Sequence, residues 1–165
     1  MPWLCVQLLR VPDKVRLWLG FSEDWDNEDN EEAFATARAA AGTLAGAAGD
    51  EDVAKALLAE NCATSLVSLL ESENVELAHR AIVITTQLTE QTDVDLAAEL
   101  ATHLLEGGVV PALAVMMRCD NPMIAELARG AAMGLSRAIS TGKKHQGQVI
   151  SPEVEADEQV GEYEG

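Results

Sequence analysis

Laid over itself at an offset of 47 residues, the sequence matches itself. Leu57, Leu58, Leu66, Asn74, Ala81 and Leu88 fall on Leu104, Leu105, Leu113, Asn121, Ala128 and Leu135. An offset of 44 carries Ala37 and Leu44 onto Ala81 and Leu88. A period of this length points to stacked helical units, since one unit cannot bury its apolar face alone and a like neighbour must cover it. Such arrays bind other proteins along an extended surface, and catalysis on them is rare.

Composition agrees with helices. Ala, Leu and Val supply most of the 48% hydrophobic content, and aromatics only 4%. Ala favours helix and lets helices approach closely, whereas a β-sandwich wants more β-branched and aromatic residues. An all-α fold of one domain or a short array, large enough to bury a core, follows.

The net charge of −17 is concentrated in two runs. Glu23, Asp24, Asp26, Glu28, Asp29, Glu31 and Glu32 crowd one stretch, and Glu153, Glu155, Asp157, Glu158, Glu162 and Glu164 crowd the tail. Those 13 of the 28 acids leave 15 against 11 Lys and Arg, so the remainder is nearly balanced. Both runs read as a solvated loop and a solvated tail, the alternative being docking to a basic partner. No nucleic-acid partner is expected, because phosphate affinity comes from clustered Lys and Arg.

Cys5, Cys62 and Cys119 are odd in number and far apart, with neither metal nor redox spacing. They read as free, mostly buried thiols in a reducing compartment. The apolar N-terminus is interrupted by Arg10, Asp13, Lys14 and Arg16. It is too short for a membrane span and lacks the marks of a signal peptide. A cytoplasmic or nuclear location, the cytoplasm preferred, and no membrane partner are expected.

Along the chain, residues 1–21 predict helices broken at Pro12, and 22–32 an acidic loop. A small-residue helix over 32–48 buries Ala37, Ala40, Ala41 and Leu44 at helical spacing and breaks at Gly49. Asp52 is the expected cap of a helix carrying Val53, Ala56 and Leu57. A second helix spans 63–70, and a long one 75–90 turns Ala78, Ala81, Ile84, Thr85 and Leu88 inward. The pattern recurs with Asp93 or Asp95 opening a helix to Glu106, a turn at Gly107 and Gly108, a helix from Val109, and a third from Met123 to Ser140. Gly142 is expected to stop that helix, and 143–165 to form a disordered tail.

No catalytic set emerges. His103, Glu99 and Glu106 share a helix face, but no further His or Cys completes a metal site. Gly107 and Gly108 lack the Lys and Ser or Thr of a phosphate loop. Thr85 and His79 lie on different faces, and Met116 and Met117 align with Leu69 and Leu70 as core. No cofactor, no metal and no enzymatic activity are expected.

The unit of two short helices, a turn and a long helix resembles the armadillo repeat. The run Glu106-Gly-Gly-Val-Val-Pro-Ala-Leu113 is similar to the start of that family's second helix: Gly frees the corner, and Pro fits a first turn where its missing N–H costs nothing. The resemblance implies a right-handed superhelical solenoid of two full repeats over 33–142 and a partial one before them. In such arrays the long helices line a groove. Taking Ala37, Ala81 and Ala128 as zero, positions −1, +2 and +6 share a face beside the buried one. They are Thr36, Ala39 and Thr43, then Arg80, Val83 and Gln87, then Leu127, Gly130 and Gly134. From these, Thr43, Arg80, Val83, Gln87 and Gly130 are the candidate protein-binding residues. Arg80 also reads as a surface Arg pairing with Glu76 four residues earlier. The Trp and Asn ladder that importin-like arrays carry at +2 and +6 is absent.

A narrower resemblance rests on three segments. Asp13-Lys-Val-Arg-Leu-Trp-Leu, the acidic loop and Ala37-Arg-Ala-Ala-Ala-Gly-Thr-Leu-Ala45 resemble the C-terminal part of the UCS domain of myosin chaperones. Asn74-Val-Glu-Leu-Ala-His-Arg-Ala-Ile-Val-Ile84 is similar to that domain's next repeat. Leu127-Ala-Arg-Gly-Ala-Ala-Met-Gly-Leu-Ser-Arg137 sits where its last helix ends. The resemblance covers about residues 13–142. It implies a module that holds the myosin motor domain as it folds, with Hsp90 reached only indirectly because no TPR domain is present. Most of that solenoid has no counterpart here, so a fragment is expected. The alternative is a generic armadillo adaptor for another cytosolic protein.

Overall fold

The computed structural model describes residues 31–149. The helices expected within 1–21, the acidic run up to residue 30 and the tail from residue 150 lie outside the described residues. Every regular element within them is a helix: α1 Glu31–Ala47, α2 Glu51–Ala59, α3 Ala63–Leu70, α4 Val75–Thr89, α5 Val94–Glu106, α6 Val109–Met116 and α7 Pro122–Val149.

Most of the positions that matched in sequence hold this arrangement together, though Leu58 is half-buried and Leu105 is 47% exposed. Leu57 and Leu104, Leu66 and Leu113, Leu88 and Leu135, and Ala81 and Ala128 are all buried. Each fully buried Leu contributes about 1.5–3 kcal/mol. Asn74 and Asn121 do a different job. Each stands before a long helix and accepts from the backbone N–H groups two and three residues on, at 3.0 and 3.2 Å for Asn74 and 3.1 and 3.3 Å for Asn121. These bonds satisfy donors that a helix start leaves free.

Each helix of the first set packs on its counterpart in the second: α2 on α5, α3 on α6 and α4 on α7. The long helices continue as a row, with α1 against α4 and α4 against α7. Two sharp corners set the short helices apart, 94° between α2 and α3 and 77° between α5 and α6. Asn61 and Gly108 occupy those corners in left-handed backbone, at φ 56° and 89°. They are 47 residues apart, so one geometric requirement is met by the two residue types that tolerate it best.

Two expectations are corrected. Asp50, not Asp52, caps α2, accepting from the N–H groups of Asp52 and Val53 at 3.0 and 3.2 Å. The backbone at Asp50 is extended, with ψ 132°, while Asp52 already lies in the first turn, where its charge favours the helix dipole. The second correction concerns α7, which runs through Gly142 to Val149. Gly142 is buried in that helix rather than ending it, and a Cβ there would meet the Cβ of Ala98 at 2.3 Å. Its role is close approach of helices. The caps Asp50 and Asp93 are 43 residues apart, against 47 for the core leucines, so α5 begins one turn earlier than α2. The extension of α7 lies along that extra turn, with His145 Nδ1 3.1 Å from Asp95 Oδ1.

Candidate functional site

The row α1, α4 and α7 carries all five candidate binding residues, and three contacts define how the row is built. A Cβ on Gly42 of α1 would lie 3.9 Å from the Arg80 guanidinium carbon of α4. One on Gly49 would lie 3.9 Å from Gln87 Oε1, and one on Gly134 of α7 would lie 2.9 Å from Thr89 Oγ1 of α4. Gly42 to Gly49 and Arg80 to Gln87 are the same step along the chain, so α1 and α4 run parallel. Gln91 Nε2 ties the same seam, donating to Ala48 O at 2.9 Å and to Gln87 O at 3.0 Å.

Arg80 and Gln87 therefore lie half-buried in the seam between α1 and α4. Arg80 Nε and Gln87 Oε1 are buried there with no hydrogen-bond partner. Gly134, at the same register as Gln87, faces the next seam. Val83 is half-buried against the core and Leu127 likewise. Thr43 is exposed, its hydroxyl donating to Ala39 O at 2.9 Å. Gly130 is exposed with nothing within 4 Å of an added Cβ. The side chain of Thr36 lies outside the described residues. On α4 the register thus separates two roles: Arg80 (−1) and Gln87 (+6) face the seam with α1, while Val83 (+2) packs partly against the core.

Arg80 does pair with Glu76, at 3.7 Å. The Glu76 carboxylate also meets Arg38 of α1 at 2.5 Å. Arg38–Glu76–Arg80 is thus an ion-pair chain across the seam, which the sequence pattern did not reveal because Arg38 belongs to another helix. All three side chains are roughly two-fifths exposed, so each pair is worth about 0–1 kcal/mol. The ion-pair chain lays a charged band across the seam between α1 and α4.

Glu99, His103 and Glu106 line an open cleft of about 590 Å³ with Leu58, Asp95 and Lys143. Its floor is α5 and its walls are α2 and the extension of α7. His103 Nε2 is buried and unpartnered. Among the described residues no group of His, Cys, Asp and Glu is placed to hold a metal ion. Sequence spacing had marked the three α5 residues but could not show the walls, because Lys143 was expected beyond the end of the helix.

Cys62 is buried and free, and Cys119 is half-buried and free. Burial pushes the Cys62 thiol up to about 12, so it stays protonated and is no nucleophile at neutral pH. Cys119 Sγ donates to Asn121 O at 3.4 Å. Cys5 lies outside the described residues. Met116 and Met117 are partly buried against the core. Among the described residues no single helix is long and apolar enough to cross a membrane. No protein-family model matches this sequence, and no curated protein matches it.

Proposed function

We propose that this chain is a non-enzymatic, cytoplasmic protein-binding module of armadillo type: two full repeats and a partial one, resembling the end of a UCS-type myosin-folding chaperone. The observation that carries the reading is the parallel packing of α1 on α4, with α7 continuing the row. A repeated row is a surface suited to an extended or partly folded protein client. Of the segments on which the UCS resemblance rests, 37–45, 75–84 and 127–137 fall on these three helices, while 13–19 and the acidic run up to residue 30 lie outside the described residues. Binding would proceed by surface complementarity at Ala39, Thr43, Val83 and Gly130, with Arg80 as a cation and Gln87 as an amide in the seam. No covalent step and no cofactor are involved.

The test is capture of a purified myosin motor domain by the full chain at low salt. Retention is expected, and Ala39→Arg and Gly130→Arg should reduce it at least tenfold. Both positions are exposed, so the substitutions leave the packing intact. If wild type retains no motor domain, the chaperone reading fails, and the adaptor reading, with a different cytosolic partner, takes its place.

A further inference from the structure

The last turns of α7 are held differently from the rest of that helix. Gly142 lies beside Ala98, and His145 beside Asp95. Three residues forward in α7 match three residues back in α5, so the two helices are antiparallel and the end of α7 rests on the first turn of α5. At Gly142 the packing is close and the glycine is buried. From Lys143 to Gln148 every side chain is exposed, and none of these residues is apolar. Gly147 is a poor helix former, and the last carbonyls of any helix lack partners within it. This weakly held segment nonetheless forms one wall of the cleft of about 590 Å³, where Lys143 and Gln146 face Leu58 of α2 and Glu99 of α5. The contact that fastens it is His145 Nδ1 to Asp95 Oδ1, at 3.1 Å.

We propose that residues 143–149 form a pH-dependent strap along this cleft, fastened to α5 when His145 is protonated and released when it is neutral. Histidine is the side chain whose charge changes between pH 5 and 8. Charged, His145 attracts the Asp95 carboxylate and complements the negative end of its own helix. Both effects leave with the proton, so the fastening is present at acid pH and is lost as pH rises. The other charged groups at the cleft are Glu99 and Glu106 of α5 and Lys143 of α7, and α2 contributes the apolar Leu58. Lys144 is the chain neighbour of His145. Carboxylates and lysines hold one charge through this range and give a constant background. His103 is the second imidazole at the cleft, with Nε2 buried and unpartnered, and it serves as the control. His145 and Asp95 are 51% and 58% exposed, so the switch is shallow, changing the ratio of fastened to released strap about two- to fivefold. Release takes away one wall and opens the cleft over Leu58 and Ile139, which are half-buried with the strap in place.

The test is NMR of the full chain at about pH 5.5 and about pH 8, on either side of the imidazole range. Helical Cα shifts of Gln146, Gly147 and Gln148 report the strap, and a soluble paramagnetic probe reports access to the Leu58 and Ile139 methyls. At the lower pH the three residues should be more helical and both methyls less accessible, with the ratio shifted about two- to fivefold. Added salt should shrink that difference. His145→Gln should abolish it. Asp95→Asn keeps an oxygen that accepts from the imidazole but removes the charge, and should take away at least half of it. His103→Gln should leave it as in wild type. Unchanged shifts at the core residues Leu104 and Leu113 exclude a general loss of fold in any variant. Wild-type shifts that are equal at the two pH values would overturn the proposal. So would a pH dependence that survives in His145→Gln, is untouched by Asp95→Asn, or disappears in His103→Gln.

Discussion

Gly142 of α7 approaches Ala98 of α5 so closely that a Cβ built on the glycine would lie 2.3 Å from the Ala98 Cβ. Neither neighbour can yield by turning a flexible side chain, so the helices themselves would have to part. Gly142→Ala should therefore destabilise the fold by about 1–3 kcal/mol, although Gly to Ala inside a helix ordinarily stabilises by about 0.5–1 kcal/mol. Urea denaturation measures the difference. Ala98→Gly made in the same chain should recover most of the loss, because it restores the room the new methyl takes. Simple addition of the two single effects would mean the contact is not what makes residue 142 a glycine.

Glycines elsewhere should divide by what surrounds them, and the contrast tests the packing directly. A Cβ on Gly107 would sit 2.2 Å from that of Ala63, so Gly107→Ala should cost about 1–3 kcal/mol. Around Gly46 and Gly130 there is nothing within 4 Å. Gly46→Ala and Gly130→Ala should each raise stability by about 0.5–1 kcal/mol through helix propensity alone. Thermal melting of the three single variants would separate them by sign, and a loss at Gly130 would place an unrecognised neighbour over it.

The periodic leucines were readable in advance because a buried face leaves the same spacing in sequence as in space, and Leu57, Leu66, Leu88 and their counterparts are indeed core. The bounds of α3 were readable for the same reason. Gly142 was misread because a helical glycine that stops a helix and one that lets a neighbour in look alike until the neighbour is known. Asp50 was missed in favour of Asp52 since both precede the same apolar run, and only backbone angles distinguish a cap from a first-turn residue. The register along the row of long helices was half legible. Its periodicity placed Thr43, Arg80, Val83, Gln87 and Gly130 on one strip, but which edge of that strip meets the adjacent helix depends on how helices cross, and no single helix encodes that. The Arg38–Glu76–Arg80 chain was hidden by the same gap.

The two corners offer a test of the internal repetition that does not depend on any partner. Asn61 and Gly108 both hold left-handed backbone, where an ordinary L-residue costs about 1–2 kcal/mol. Gly108→Asn should be milder than Gly108→Ala, since Asn already serves at the equivalent corner. Asn61→Ala should lose less than Gly108→Ala does, because the Asn it replaces already bears part of that cost. Chemical denaturation of the three variants gives the comparison, and an Ala at position 108 that costs no more than Asn would show that the corner relaxes out of that conformation.

Cys62 supplies a pH-dependent prediction whose sign is fixed by burial. Its thiol, ordinarily ionising near 9.0, is pushed up to about 12 because desolvation penalises the thiolate. Between those values the unfolded chain has released the proton and the native chain has kept it. The native state then binds more protons, so stability falls as pH rises, by about 1.4 kcal/mol per pH unit. Below 9.0 both states hold the proton and the effect vanishes. Denaturation midpoints of wild type should therefore decline more steeply above that pH than those of Cys62→Ala, whose own smaller core costs about 1 kcal/mol at every pH. Taking the difference between the two proteins removes the tyrosine and lysine titrations they share. Alkylation followed by peptide mapping checks the same burial kinetically: Cys62 should resist modification in the native protein near neutral pH while half-buried Cys119 reacts, and both should react in urea. Equal slopes for the two proteins would mean that the thiol reaches solvent through local opening before the fold as a whole gives way.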